Sequence, residues 1–183
     1  SEESGISGET QIEEQEGESM TIEELLKVLE MQEEILQFSH FTHGDAWELG
    51  TMIVMEARRR NTPVALKIQM NSGQTIFQYE SDGVTPYTDE LPDRKQRVVK
   101  QMETSSLHLH MLLRQNEESL ADMGLDPALY ANCGGGFPIR VEDVGVVGAV
   151  SVAGVNHVAD HDLVVKCISK YLHIDEVPRI RAV

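Results

Sequence analysis

Pro63-Val64-Ala65-Leu66-Lys67-Ile68-Gln69-Met70, then Asn71-Ser72-Gly73, then Gln74-Thr75-Ile76-Phe77-Gln78-Tyr79 is the run that sets the architecture of this chain. Pro63 ends the helix before it, because proline has no N–H to donate and its fixed φ resists helical continuation. Apolar groups then fall at alternate positions 64, 66, 68 and 70, the two-residue period of a strand with one face in a core. Asn71-Ser72-Gly73 is turn chemistry, and the chain returns as a second strand. A second hairpin follows later: Ile139 to Val141, a turn at Asp143, then Gly145 to Val152. Two hairpins separated by helices do not make the βαβ alternation of a doubly wound sheet. They predict an α+β fold in a single domain, with one antiparallel four- or five-stranded sheet flanked by helices.

The helices are read outward from these hairpins. Thr21, with Glu24 three residues on, begins a helix whose apolar stripe includes Leu25, Leu26, Leu29 and Leu36. Phe38-Ser39-His40-Phe41 reads as a short extended link, and Thr42 or Asp45 caps a helix running to about Arg60. Arg58-Arg59-Arg60 closes that helix where cations suit its dipole. Beyond the first hairpin, Gly83 to Pro86 is loop, and a helix runs from Pro92 to about Met102. Another starts at Ser105 or Ser106 and reaches about Arg114. A short helix is expected after Asp126-Pro127. Cys133-Gly134-Gly135-Gly136-Phe137-Pro138 leads into the second hairpin, and Asp160 caps a last helix, His161 to Leu172. The predicted order is α-α-β-β-α-α-β-β-α.

The 183 residues suit one domain, and 31 Asp and Glu against 15 Lys and Arg give a net charge of −16. The imbalance is local. Residues 1–36 carry 12 acids and one base, whereas residues 37–183 carry 19 acids and 14 bases. Residues 1–20 hold seven glutamates with no base and no aromatic. They have too little apolar surface to offset ordering entropy, and are read as an acidic disordered tail before a domain spanning 21–183. An acidic chain without a basic stripe is not built for nucleic acid. The N-terminus lacks the basic and apolar regions of a signal peptide. The longest weakly polar run, Val144 to Val155, has 12 residues, against roughly 20 for a spanning helix. Cys133 and Cys167 match no metal spacing and are too sparse for a disulfide-stapled scaffold, though a single bridge between them stays open. Together these features predict a cytoplasmic protein that is not membrane-embedded.

Candidate chemistry is thin. Gly134-Gly135-Gly136 lacks the G-x-G-x-x-G spacing, leads into a strand and has no Lys-Ser/Thr after it, so it fits neither dinucleotide-binding nor P-loop signatures. It serves tight turns and close backbone approach, or a site where backbone meets a ligand. His108 and His110 point apart on a helix. His157 and His161 have chelating spacing, but His157 lies before the expected cap and no H-E-x-x-H surrounds them. No Gly-x-Ser-x-Gly elbow is present, and Thr104-Ser105-Ser106 reads as capping residues. Arg94, Lys95, Arg97 and Lys100 form the domain's basic cluster. Arg94 and Arg97 either hold a carboxylate or phosphate together or pair with Asp89, Glu90 and Asp93.

The element order, with Phe41-Thr42, Asp45-Ala46-Trp47-Glu48-Leu49-Gly50, Pro63-Val64-Ala65, Arg94-Lys95, Ser105-Ser106, Gly135-Gly136-Phe137-Pro138, Gly145 to Gly154 and Asp160-His161, resembles the haem-degrading-domain family, which is HbpS-like and GlcG-like. It is most similar to that family's uncharacterised cytosolic eukaryotic and bacterial branch. The resemblance covers residues 38–172. It implies a profilin- or PAS-like sheet flanked by helices and assembly into symmetric homo-oligomers. For a yeast relative it implies a link to targeting of tail-anchored membrane proteins. The family commonly carries an aromatic before Arg-Lys; here Glu90-Leu91-Pro92-Asp93 stands there instead. The resulting expectation is a homo-oligomeric small-ligand-binding or assembly protein without a catalytic centre. Its ligand-binding set is Arg94, Lys95, Ser105, Ser106, Gly135, Gly136, Pro138, Asp160 and His161, shaped for a small anionic ligand. Protein-targeting or chaperone factors are expected partners. The alternative is a haem-binding or haem-degrading enzyme or sensor, with a histidine as axial ligand. No metal site is assigned.

Overall fold

The computed structural model describes residues 20–180. The expected tail therefore lies outside the described residues, apart from Met20, which packs against the first helix. The elements are α1 (Ile22–Ile35), α2 (His43–Arg59), β1 (Ala65–Met70), β2 (Thr75–Glu80), α3 (Pro86–Asp89), α4 (Leu91–Met102), α5 (Ser106–Asn116), β3 (Gly136–Val141), β4 (Gly145–Ala153) and α6 (His157–Tyr171). A 3-10 turn spans Ala121–Met123. The sheet has four strands in the order β2-β1-β4-β3, and every pairing is antiparallel. Both predicted hairpins are present, and β4 zips the first to the second by lying against β1.

The register explains which face does what. Leu66 and Ile68 of β1, Val150 and Val152 of β4, and Phe137 and Ile139 of β3 share one face. They meet Leu49, Ile53 and Ala57 of α2 and Val164, Cys167 and Ile168 of α6 in the main core. Contact there is close enough that a side chain at Gly50 would run into the ring of Phe77. The opposite face carries Ala149, Ser151, Ala153, Gly136 and Pro138, all small or compact, and α4 lies over it. α1 packs on α5 through Leu25, Leu26, Leu29, Leu107 and Met111.

Four expectations need correction. Pro86, read as the end of a loop, opens the short helix α3, which adds one helix to the predicted order. The last helix begins at His157, capped by Asn156, whose side chain accepts from Val158 N and Ala159 N. Asp160 therefore sits inside the first turn, and Asp160-His161 is not the helix start. The Asp126-Pro127 region is an Asx turn closed by Ala128 N donating to Asp126 Oδ1 (2.9 Å), and the short helical turn falls earlier, at Ala121–Met123. β3 begins three residues before the expected Ile139, because the glycine-rich segment pairs with β4. Phe38 confirms the extended link: it bridges Val141, with Phe38 N donating to Arg140 O (2.7 Å).

Gly50→Val should cost about 1–3 kcal/mol by overpacking, read as a lower urea midpoint. Adding Phe77→Leu should return part of the loss, whereas strict additivity would disprove the contact.

Candidate functional site

α4 turns Pro92, Lys95, Gln96 and Val99 toward the sheet. Lys95 is only 1% exposed. Its Nζ donates to Val152 O at 2.7 Å and lies 3.7 Å from Asp160 Oδ2. Asp160 in turn accepts from Gly154 N at 2.8 Å. Burial dominates both groups: it pushes the Lys95 ammonium below its ordinary pKa and lifts Asp160 above the usual carboxylate value, while their mutual attraction opposes each shift. Gly135 takes φ +126°, and a Cβ there would strike the Val152 carbonyl and sit 2.9 Å from Lys95 Nζ. The glycine leaves the space that the ammonium fills.

Around this pair the other predicted residues serve the fold. Ser106 Oγ accepts from Gly136 N at 2.9 Å. Ser105 caps α5 by accepting from His108 N at 3.2 Å, and its own N–H donates to Glu33 Oε2 at 3.0 Å. His108 Nδ1 meets Glu33 Oε1 at 2.9 Å. Burial opposes charge on His108, but the Glu33 hydrogen bond and charge outweigh it and raise its pKa. His161 pairs through Nε2 with Gln32 Oε1 at 2.7 Å, and burial pushes its pKa down to about 4. Pro138 is buried in β3. Eight of the nine candidates thus converge where α4, α5, α6 and the β3–β4 hairpin meet, and all eight are buried.

Arg94 is the exception. Its Nη2 donates to Pro127 O at 2.8 Å, and Arg97 Nη1 donates to Leu129 O at 3.0 Å, so both guanidiniums hold the 127–130 loop. Two of the three expected acidic partners are committed elsewhere: Asp93 and Asp89 lie 2.9 and 3.6 Å from Lys67 Nζ on β1.

Spacing could not reveal one further feature. The rings of His110 and His157, distant in sequence, stand edge to face with centroids 4.8 Å apart. His110 Nδ1 meets Asn132 O at 2.9 Å, so it donates there and its Nε2 keeps a bare lone pair. His157 Nδ1 accepts from Gly134 N at 2.8 Å, which places its proton on Nε2. Both pKa values are lowered, chiefly by burial. The half-exposed Cys133 lies between the two clamped backbone groups, and its charge when ionised would favour the Lys95 ammonium. Both cysteines are free. Among the described residues no group of three His, Cys, Asp or Glu side chains is placed to hold a metal ion, and no helix is long and apolar enough to cross a membrane.

Removing one partner of the buried pair strands the other. Lys95→Met should cost about 3–5 kcal/mol in urea unfolding, and Lys95→Met with Asp160→Asn should cost clearly less than the sum of the single changes. Additive losses would mean the two groups do not act together.

A family profile described as "Haem degrading protein HbpS-like" matches residues 41–169. A UPF0303 protein of Streptomyces avermitilis is 43% identical over 145 residues, covering 79% of this chain and 88% of the relative. Among solved structures, that of Ybr137w superposes with a TM-score of 0.76 at 21% identity, covering 92% of this chain and 96% of that one. The structure of a PduOC:haem complex gives a TM-score of 0.61 at 20% identity over 70% of this chain and 93% of that one. At these identities the two structures show a shared fold. The profile match and the Streptomyces relative show more: the chain belongs to the HbpS-like family of haem-degrading proteins.

Proposed function

We propose that the chain is a homo-oligomeric small-ligand-binding or assembly protein of this family, acting in the cytoplasm without a catalytic centre of its own. One observation carries the reading. The side chains best suited to chemistry, Lys95, Ser105, Ser106, Asp160 and His161, are spent on bonds that hold the interior together. They form the floor of a ligand site and do not exchange protons with substrate. We place the ligand at His110, Cys133 and His157, one ring offering an Nε2 lone pair and the other an Nε2–H. Lys95 beneath and Arg114 beside draw a small anion to this place. Self-association is supported by the edge of β2, unpaired among the described residues, and by Tyr87, 77% exposed on α3. The implied link to targeting of tail-anchored proteins belongs to this reading, with the assembled protein as a platform for targeting or chaperone factors. Light scattering at micromolar protein should give at least twice the 20.4 kDa chain mass. A monomer overturns the assembly claim.

A second reading is favoured by the geometry of His110 and by the haem complex of the PduOC relative. An imidazole whose Nδ1–H is held by a carbonyl and whose Nε2 is bare has the arrangement of a haem axial ligand. His161 is fully buried and His108 is bound to Glu33, so neither competes. Haem titration should then give a sharpened Soret band that His110→Ala abolishes while leaving the far-UV circular dichroism unchanged. A band that survives that replacement, or never sharpens, removes this reading.

A further inference from the structure

One surface of this acidic chain is locally basic. A groove of about 530 Å³ runs between α2 and α6, lined by Met52, Met55, Glu56, Arg59, Lys166 and Lys170. Its α2 wall, at positions 52, 55, 56 and 59, is one helical stripe, and Lys166 and Lys170 stand a turn apart on α6. Arg59, Arg60 and Lys166 all reach Glu56 Oε1, at 2.6, 3.0 and 2.9 Å. Those bonds, Arg59 first, hold Glu56 far below the usual carboxylate range. One carboxylate thus answers three cations, and Lys170, which is exposed, adds a fourth. The groove keeps a positive excess beside the thioether of Met55, 59% exposed. A channel between two neighbouring helices, apolar at one end and cationic at the other, suits a helix with acids around an apolar anchor.

The chain presents a helix of that kind on another face. α1 buries Leu25, Leu26 and Leu29 against α5 and exposes Glu23, Glu24, Lys27, Glu30, Met31 and Glu34. At 3.6 residues per turn these six positions fall in one arc about 120° wide. That arc carries four acids, one base and Met31, 50% exposed between Glu30 and Glu34. Because α1 is fixed on α5, it is a neighbour's α1 that can enter the groove. We propose that α1 of one copy docks in the groove between α2 and α6 of another, with Met31 against Met52 and Met55 and with Glu30 and Glu34 on Arg59, Lys166 and Lys170. The two surfaces differ, so the contact is heterologous: copies follow head to tail, and close into a ring where the rotation between them allows. This contact rests on the self-association proposed above and gives it a surface.

Charge exchange in the full chain tests this, with E34K and K170E made as separate variants. Both positions are exposed, so the far-UV circular dichroism should not change. Each variant alone sets like charges across the contact, and light scattering at micromolar protein should show self-association at least about tenfold weaker. Mixed in equal amounts, the two variants should regain the mass of the unchanged protein. In an alternating assembly the exchanged charges attract at one contact and the original ones at the next. If the unchanged protein is itself a monomer, the self-association reading falls and this contact with it. If it assembles and neither variant lowers its mass, that reading stands and the contact proposed here is wrong. The proposal also fails if only one variant loses mass, which would give the groove or α1 a different partner, or if mixing the two restores nothing.

Discussion

Lys95 carries an ammonium into the layer between α4 and the sheet, and much of the molecule is arranged around that charge. Removing an ammonium from water costs several kcal/mol even after relaxation. Here the cost is met by the Val152 carbonyl at 2.7 Å and by Asp160 at 3.7 Å. Asp160 needs its own support and takes the Gly154 N–H. Three separate segments are thereby fixed: the glycine run before β3, the end of β4 and the first turn of α6. Gly135 then cannot carry a side chain, since one would displace the amine and strike the Val152 carbonyl. Val152 N donates to Gly135 O at 3.0 Å, so the strand pairing and the ion pair share a residue. The pair places these elements in one register, a role buried ion pairs fill better than net stabilisation.

The two faces of the sheet divide the labour accordingly. The α2 and α6 face is an apolar core. The α4 face is lined by small residues of β3 and β4 so that a polar helix face can approach, and Lys67, Gln69, Lys95, Gln96 and Ser151 are buried there. Lys67 and Gln69 of β1 meet Asp93 at 2.9 and 2.8 Å at one end. Lys95 and Asp160 occupy the other, with His157 one turn before Asp160 on α6. The His110–His157 imidazole pair has fixed tautomers, each set by a backbone group on either side of Cys133.

Both hairpins were legible because strand alternation and turn residues are local signals, and the antiparallel sheet follows from their order. The N-caps at Thr21, Thr42 and Ser105 were legible for the same reason. Asp160 misled because a carboxylate near a helix start resembles a cap, and only the fold shows it turned inward to Gly154 N and Lys95. The glycines marked the right place: absence of a Cβ is readable, but the amine that fills the space comes from a distant helix. The bonds from Arg94 and Arg97 to the 127–130 loop were not legible, since backbone carbonyls of a loop leave no compositional trace. The His110–His157 pair was out of reach because ring contact between two helices distant in sequence, α5 and α6, has no spacing rule.

The bridge at Phe38 gives the sheet a direction. By taking the Arg140 carbonyl and the Glu142 N–H at the outer side of β3, it covers the end of that rim of the ladder. The rim along β2 is unpaired among the described residues. An uncovered rim can pair with another strand. The short link between α1 and α2 therefore leaves β2, and not the end of β3, as the strand open to such pairing among the described residues.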